Sequence, residues 1–295
     1  MWSDGALAFV TTQNGDALSV IDLAARTELE RWSVPGQPAG VAVSDRGAVF
    51  TVSPDSKTVR RMDGGGRVGA EVALDGGPIG IALDEASGRA FVSDWFNARI
   101  WVLDAASLAV TGTLATGAAP AGLAVANGIL ASADRDADQV SLFDLDTPGS
   151  PRSVRVGERP FGLAFAPDGR LFVANVGTND VSVVDPASGT VTATLPVGER
   201  PYGIAFARGR TFVTNQYADS VSVIDLATLE PVATLDVGEY PEGIDATADG
   251  SLVVVANWFS NTVTLIDPAG PAVTGEVATG EGPRAFGLFI LDPPS

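Results

Sequence analysis

One period governs the whole chain. The tripeptide Pro-x-Gly begins at Pro38, Pro78, Pro120, Pro160, Pro201 and Pro241, at intervals of 40, 42, 40, 41 and 40 residues. A stretched copy, Pro283-Arg284-Ala285-Phe286-Gly287, follows 42 residues later. A second series runs in phase with the first, an apolar run closed by Asp at Asp22, Asp63, Asp104, Asp144, Asp185, Asp225 and Asp267. By length alone, 295 residues would suggest about two domains. Two seven-membered series in register instead make one domain of seven units, each of about 41 residues.

Each unit reads as strands. The most regular copy, residues 159–198, holds four short runs rich in apolar and β-branched residues, FGLAFA, RLFVAN, DVSVVD and TVTATLPV. They are separated by PDG, GTN and PASG, which are turn compositions, and no stretch carries a 3.6-residue period. Four strands in seven units predict an all-β fold, a seven-bladed β-propeller of four-stranded antiparallel blades. The expected blades are residues 1–36 with 283–292, then 37–75, 77–117, 119–156, 159–197, 200–237 and 240–279. The N-terminal unit supplies only three strands, LAFVTT, ALSVID and ELERWSV. The missing inner strand is expected as AFGLFIL, residues 285–291, pairing with those three to close the ring and leave no open inner edge. A monomer is expected.

Composition narrows the chemistry. With no Cys and no His, the chain cannot build a zinc finger, a haem histidine ligand, a Ser-His-Asp triad or a Cys-His dyad. Its 36 acidic against 18 basic residues give a net charge of −18, the wrong sign for a nucleic-acid partner, whose phosphates are neutralised by Lys and Arg. No apolar stretch approaches the roughly 20 residues of a membrane-spanning helix.

The segments FVANVGTNDVSVVDPASGTVTATLPVGERPYGIAF and FVTNQYADSVSVIDLATLEPVATLDVGEYPEGI resemble the repeats of the YVTN β-propeller family, whose signature appears here as Phe212-Val213-Thr214-Asn215. The resemblance spans the seven units and is weaker at TVSPDSKTVRRMD and LASADRDADQVSLFD. It implies a periplasmic or secreted protein, in a family where some members accompany quinoprotein or metal-dependent oxidation systems. It leaves the activity open.

Strand order sorts the loops. If inner strand A leaves the face where the chain enters a blade, the loops leading into A and those linking B to C share that upper face. The A–B and C–D hairpins share the lower one. Upper loops contain GERPF, GERPY, GEYPE, GEGPRAF, DWFNA, NQYAD and NWFSN. The candidate binding residues are therefore Arg159, Phe161, Arg200, Tyr202, Tyr240, Glu242, Arg284 and Phe286 near the axis, with Trp95, Phe96, Tyr217, Trp258 and Phe259 on the outer loops. Bland roles compete with this reading. Aromatic rings fill gaps between blades, Arg159 and Arg200 have Glu158 and Glu199 beside them for ion pairs, and Asn175, Asn215, Asn257 and the Asp series suit turns.

One residue breaks the repeat. Strand A carries Ala42, Ala82, Ala124, Ala164 and Ala205, small residues expected where blades approach closely, but the equivalent in the seventh unit is Asp245. A buried carboxylate needs a partner: an arginine, a main-chain donor, water or a cation. Two functional classes follow. One is a non-catalytic scaffold holding a protein partner or a small ligand on the upper face. The other is a lactonase-like hydrolase using calcium or magnesium held by oxygen ligands such as Asp245 and Glu242.

Overall fold

The computed structural model describes residues 5–147 and 149–293. Residues 1–4 of the first expected blade and residue 148 of the fourth lie outside them. The described residues form seven four-stranded antiparallel sheets, each in the order A-B-C-D from the axis outward. In the fifth blade the strands are Pro160–Phe165, Leu171–Asn175, Asp180–Asp185 and Thr190–Pro196. Apolar side chains of strands B and C are buried on both faces of each sheet, and the largest wholly buried rings include Phe9, Phe91, Phe172 and Phe212. Outer strands alternate between exposed and half-buried residues, as along Thr111–Ala115 of the third blade, because one edge of each blade meets water. No helix of the described residues is long and apolar enough to cross a membrane.

The Asp series ends strand C for a local reason. Asp22 Oδ1 accepts from the N–H groups of Ala24 and Ala25, at 2.9 and 2.8 Å, and Asp225 Oδ1 accepts likewise from Ala227 and Thr228. This Asx geometry starts the C–D hairpin. Asn175, Asn215 and Asn257 tie strand B to strand C instead, each Nδ2 donating to two residues of the neighbouring strand, such as Ser220 and Ser222 for Asn215.

The blades meet most closely at the glycine of Pro-x-Gly. Gly40 packs on the carbonyl oxygen of Ile79, Gly80 on Ala121, Gly122 on Phe161, Gly162 on Tyr202, Gly203 on Glu242, Gly243 on Arg284 and Gly287 on Val41. A Cβ at any of these seven positions would overlap that oxygen. The close approach thus falls two residues before the alanines of the sequence expectation. Those alanines line the axial channel. Three strand B hydroxyls staple the same junction. Ser93 Oγ accepts from Gly80 N at 2.9 Å and donates to Ala121 O at 2.7 Å. Thr214 does the same between Gly203 and Glu242, and Thr11 between Ala285 and Ala39.

Ring closure departs from the expected seven-residue strand. Only Ile290–Leu291 pairs regularly with Leu7 and Ala8. The two residues that stretch the last Pro-x-Gly lift the rest away, and this segment also bonds the inner strand of the second blade. Val41 N donates to Phe286 O at 2.9 Å, Val43 N to Leu288 O at 3.0 Å, and Phe286 N to Ala39 O at 3.1 Å. The closing segment is therefore shared by the first and second blades.

Replacing Gly162 with Ala should cost about 1–3 kcal/mol, the range for overpacking a rigid contact. Gly112→Ala, on an outer strand with nothing within 4 Å of the added methyl, should change stability little. Urea denaturation of the two variants checks this; equal midpoints would remove the glycine contact as the determinant of blade spacing.

Candidate functional site

The upper face is built by two loops per blade that are bonded together. The residue before Pro adopts a left-handed backbone at Gln37, Ala119, Arg159, Arg200 and Tyr240, with φ of 57°, 53°, 52°, 55° and 55°. Such a conformation is uncommon outside glycine, and at four of the five a side chain from a B–C loop holds it. Asp138 Oδ1 accepts from Arg159 N, Asn179 Oδ1 from Arg200 N and Asp219 Oδ1 from Tyr240 N, at 2.8–2.9 Å. Asp16 does the same for Gln37.

This backbone decides where the candidate side chains go. Arg200 lies over the ring of Tyr217 at 4.2 Å, a cation–π contact across the two loops. Tyr240 joins Tyr217, Trp258 and Phe259, with ring centroids 5.3, 6.3 and 5.5 Å away. Tyr240 was expected near the axis; its left-handed backbone places it instead in this outer ridge over blades six and seven. The ion pairs expected for Arg159 and Arg200 with Glu158 and Glu199 do not form. Arg159 is exposed, and Phe96 stands apart over Gly77, 76% exposed.

The axial residues behave differently. In blades three to seven the pairing register slips between Pro and the apolar residue that follows Gly. This bulge frees the x residue from the ladder. Phe161 and Tyr202 use it to meet Phe286 of the closing segment at the end of the channel. Centroids are 4.2 Å apart for Phe161 and Tyr202, 5.2 Å for Phe161 and Phe286, and 5.7 Å for Tyr202 and Phe286. Trp95, expected on the rim, belongs to this group, 6.2 Å from Phe161 and covered by Arg135. Burial and then the nearby Glu242 carboxylate raise the Tyr202 phenol above its usual range, so it stays protonated. The rings cap the upper end of the channel.

Beside the cap lies a buried ion pair. Arg284 Nε donates to Glu242 Oε2 at 2.7 Å, Gln216 Nε2 donates to Glu242 Oε1 at 2.6 Å, and Arg284 Nη1 reaches Gln13 Oε1 at 3.0 Å. Burial raises the Glu242 carboxyl above its ordinary value, with Arg284 and Gln216 opposing. Arg284 comes from the closing segment, Glu242 from blade seven and Gln13 from blade one, so the network sits across the ring seam.

Asp245 completes the seam further along the same strand. Its Oδ2 accepts from Phe289 N and Ile290 N at 2.7 and 3.0 Å, and its Oδ1 from Ala246 N at 2.8 Å. Main-chain donors are therefore its partners. Glu242 and Asp245 are each engaged by protein donors and do not converge. Among the described residues, no group of three or more His, Cys, Asp or Glu is placed to hold a metal ion. Below the cap, the channel is a cavity of about 520 Å³ lined by inner strands and open at the lower face, where Asp45 and Glu85 stand. No sequence signal distinguished this chamber, because its walls are the repeat's own alanines and glycines.

Burial pushes Asp245 up to about 7 from 3.8, against its three N–H donors, with the Asp292 charge adding to the rise. An acid whose folded value is raised contributes stability that is full below its unfolded value and is lost as pH rises through the folded one. Stability should therefore fall between about pH 4 and 7, the span from the unfolded to the folded value, by on the order of a few kcal/mol from this group. Asp245→Asn keeps an acceptor for Phe289 and should flatten that slope in urea titrations. An unchanged slope would place the titration elsewhere.

A family model described as a YNCE-like beta-propeller matches residues 175–294, from the end of strand B in blade five to the closing segment. Among solved structures, Kuenenia stuttgartiensis hydrazine synthase is similar at a TM-score of 0.79 and 19% identity, over 88% of this chain and 92% of that one. A functionally unknown protein from Desulfotomaculum acetoxidans aligns at 0.82 and 16%, over 99% and 100%. A streptogramin B lyase aligns at 0.72 and 17%, over 84% and 89%. At these identities the likeness is one of fold. No curated protein matches the chain in sequence.

Proposed function

We propose that this β-propeller is a non-catalytic binding protein whose upper face docks a protein partner. The observation that carries the reading is the outer aromatic ridge. Tyr217, Tyr240, Trp258 and Phe259 stack in one continuous row, and Tyr217 and Phe259 remain 47% and 59% exposed. Exposed aromatic rings held rigidly in place lose little entropy on contact, and Tyr, Trp and Arg are enriched where binding energy concentrates. Arg200, stacked on Tyr217, supplies the arginine. The channel is capped on this face, so the ridge offers a surface and not a pocket, a shape suited to a protein.

Hydrolysis finds less support. It would need carboxylates free to share a cation, whereas Asp245 and Glu242 serve the ring seam.

The test is a paired substitution, Tyr217→Ala with Phe259→Ala, against Val191→Ser on an outer strand of blade five. A partner enriched from extracts of the producing cell by the parent protein and by Val191→Ser should be lost about tenfold or more with the pair, as for hot-spot truncation. Melting temperatures should match throughout. A partner retained equally by the paired variant, or no partner enriched at all, would overturn the docking role.

A further inference from the structure

The chamber beneath the aromatic cap opens away from the proposed docking surface and is chemically unlike it. Its volume, about 520 Å³, lies within the range of small-molecule sites. Inner strands from all seven blades' worth of repeats form the wall, mostly Ala, Ile, Leu, Val and Phe side chains, with the rings of Phe161, Tyr202 and Phe286 as its floor. At the mouth Leu288 is 68% exposed, a large apolar side chain without a covering partner.

The charges of the lining are all of one sign. Asp45 and Glu85 border the mouth, Asp245 lies in the wall and Glu242 near the floor, while no Lys or Arg lines the cavity. Glu242 is matched by Arg284 and Asp245 by main-chain N–H groups, so the lining carboxylates without such partners are those at the mouth, Asp45 and Glu85, where Glu85 Oε1 accepts only from the Asp45 main-chain N–H. The whole chain adds a net charge of −18, and a cleft with low-dielectric walls concentrates such a field. An anion would be repelled. A neutral apolar molecule would fill the chamber and leave the carboxylates unused.

We propose that the axial chamber binds an amphiphilic organic cation, an aromatic or aliphatic amine, entering from the lower face. Its apolar body occupies the space between the inner strands and rests on the aromatic floor. Its ammonium group stays towards the carboxylates of Asp45 and Glu85 at the mouth. Aromatic faces attract cations as well, so a compact quaternary ammonium could sit deeper.

Three probes of one shape test this: 4-phenylbutylamine, 4-phenylbutanol and 4-phenylbutanoic acid, titrated calorimetrically into the full chain at neutral pH and low salt. The amine should bind about threefold to fivefold more tightly than the alcohol, as expected for pairing with exposed carboxylates, and the acid more weakly than either. Asp45→Asn with Glu85→Gln should erase the amine's advantage while leaving the alcohol unchanged. Ala124→Phe, which fills the chamber, should abolish binding of all three, with folding confirmed by circular dichroism. Binding of amine and alcohol with equal affinity, no binding of any probe, or amine binding that survives Ala124→Phe would each overturn the proposal. Amine binding unaffected by Tyr217→Ala with Phe259→Ala would separate this site from the docking surface, whose failure would leave the chamber result standing.

Discussion

The contact on which the rest depends is that between a glycine Cα and the neighbouring blade's carbonyl oxygen, made seven times around the axis. It fixes how near the inner strands can come, and so the width of the channel. It also recurs at the closing segment, where Gly287 meets Val41 O although the surrounding tripeptide is stretched. A ring of sheets has no tolerance for one wide joint, because an error at any step accumulates to the seam. The hydroxyls of Thr11, Ser93 and Thr214 then satisfy inner-strand donors and the neighbour's carbonyl together.

Ring closure rests on buried charge, as do local contacts at Asp94 and Asp134 in blades three and four. Most of the interior is apolar, yet blade seven brings Glu242 to Arg284 and Asp245 to the main-chain N–H groups of Phe289 and Ile290. Both contacts bind the closing segment from the blade before it, at two points along a single strand. Buried ionic groups add little net stability, since desolvation offsets attraction. Their geometric demands are strict, however, and they select one register for a segment with only two residues in a regular ladder.

Much of this was legible in the sequence. The repeat gave strand number and blade count because a two-residue alternation and Asx turns are local properties. Asp245 was recognisable as an anomaly because the other units supplied the comparison. Side-chain direction on the upper face was not legible. Arg200 and Tyr240 turn outward because the residue before Pro is left-handed, a conformation set by an Asx side chain 21 residues earlier in sequence. Trp95 turns inward because Phe161, from another blade, is there to receive it. Neither contact lies within one repeat unit, so no inspection of the unit could reveal it.

The cap itself arises from an asymmetry in the x position. Ala39, Ile79 and Ala121 occupy it in blades two to four, and Phe161, Tyr202, Glu242 and Phe286 in the rest of the ring. Large side chains on one arc lean into the space that small ones leave on the other, which is why Phe161 and Phe286 touch although two whole blades lie between their strands. A symmetric ring of seven large residues would not fit, and a ring of seven alanines would leave an open pore. The mixed ring separates the two faces of the propeller. The proposed docking surface above and the proposed chamber below are thereby decoupled, and each face can carry its own chemistry on a scaffold whose spacing neither one disturbs.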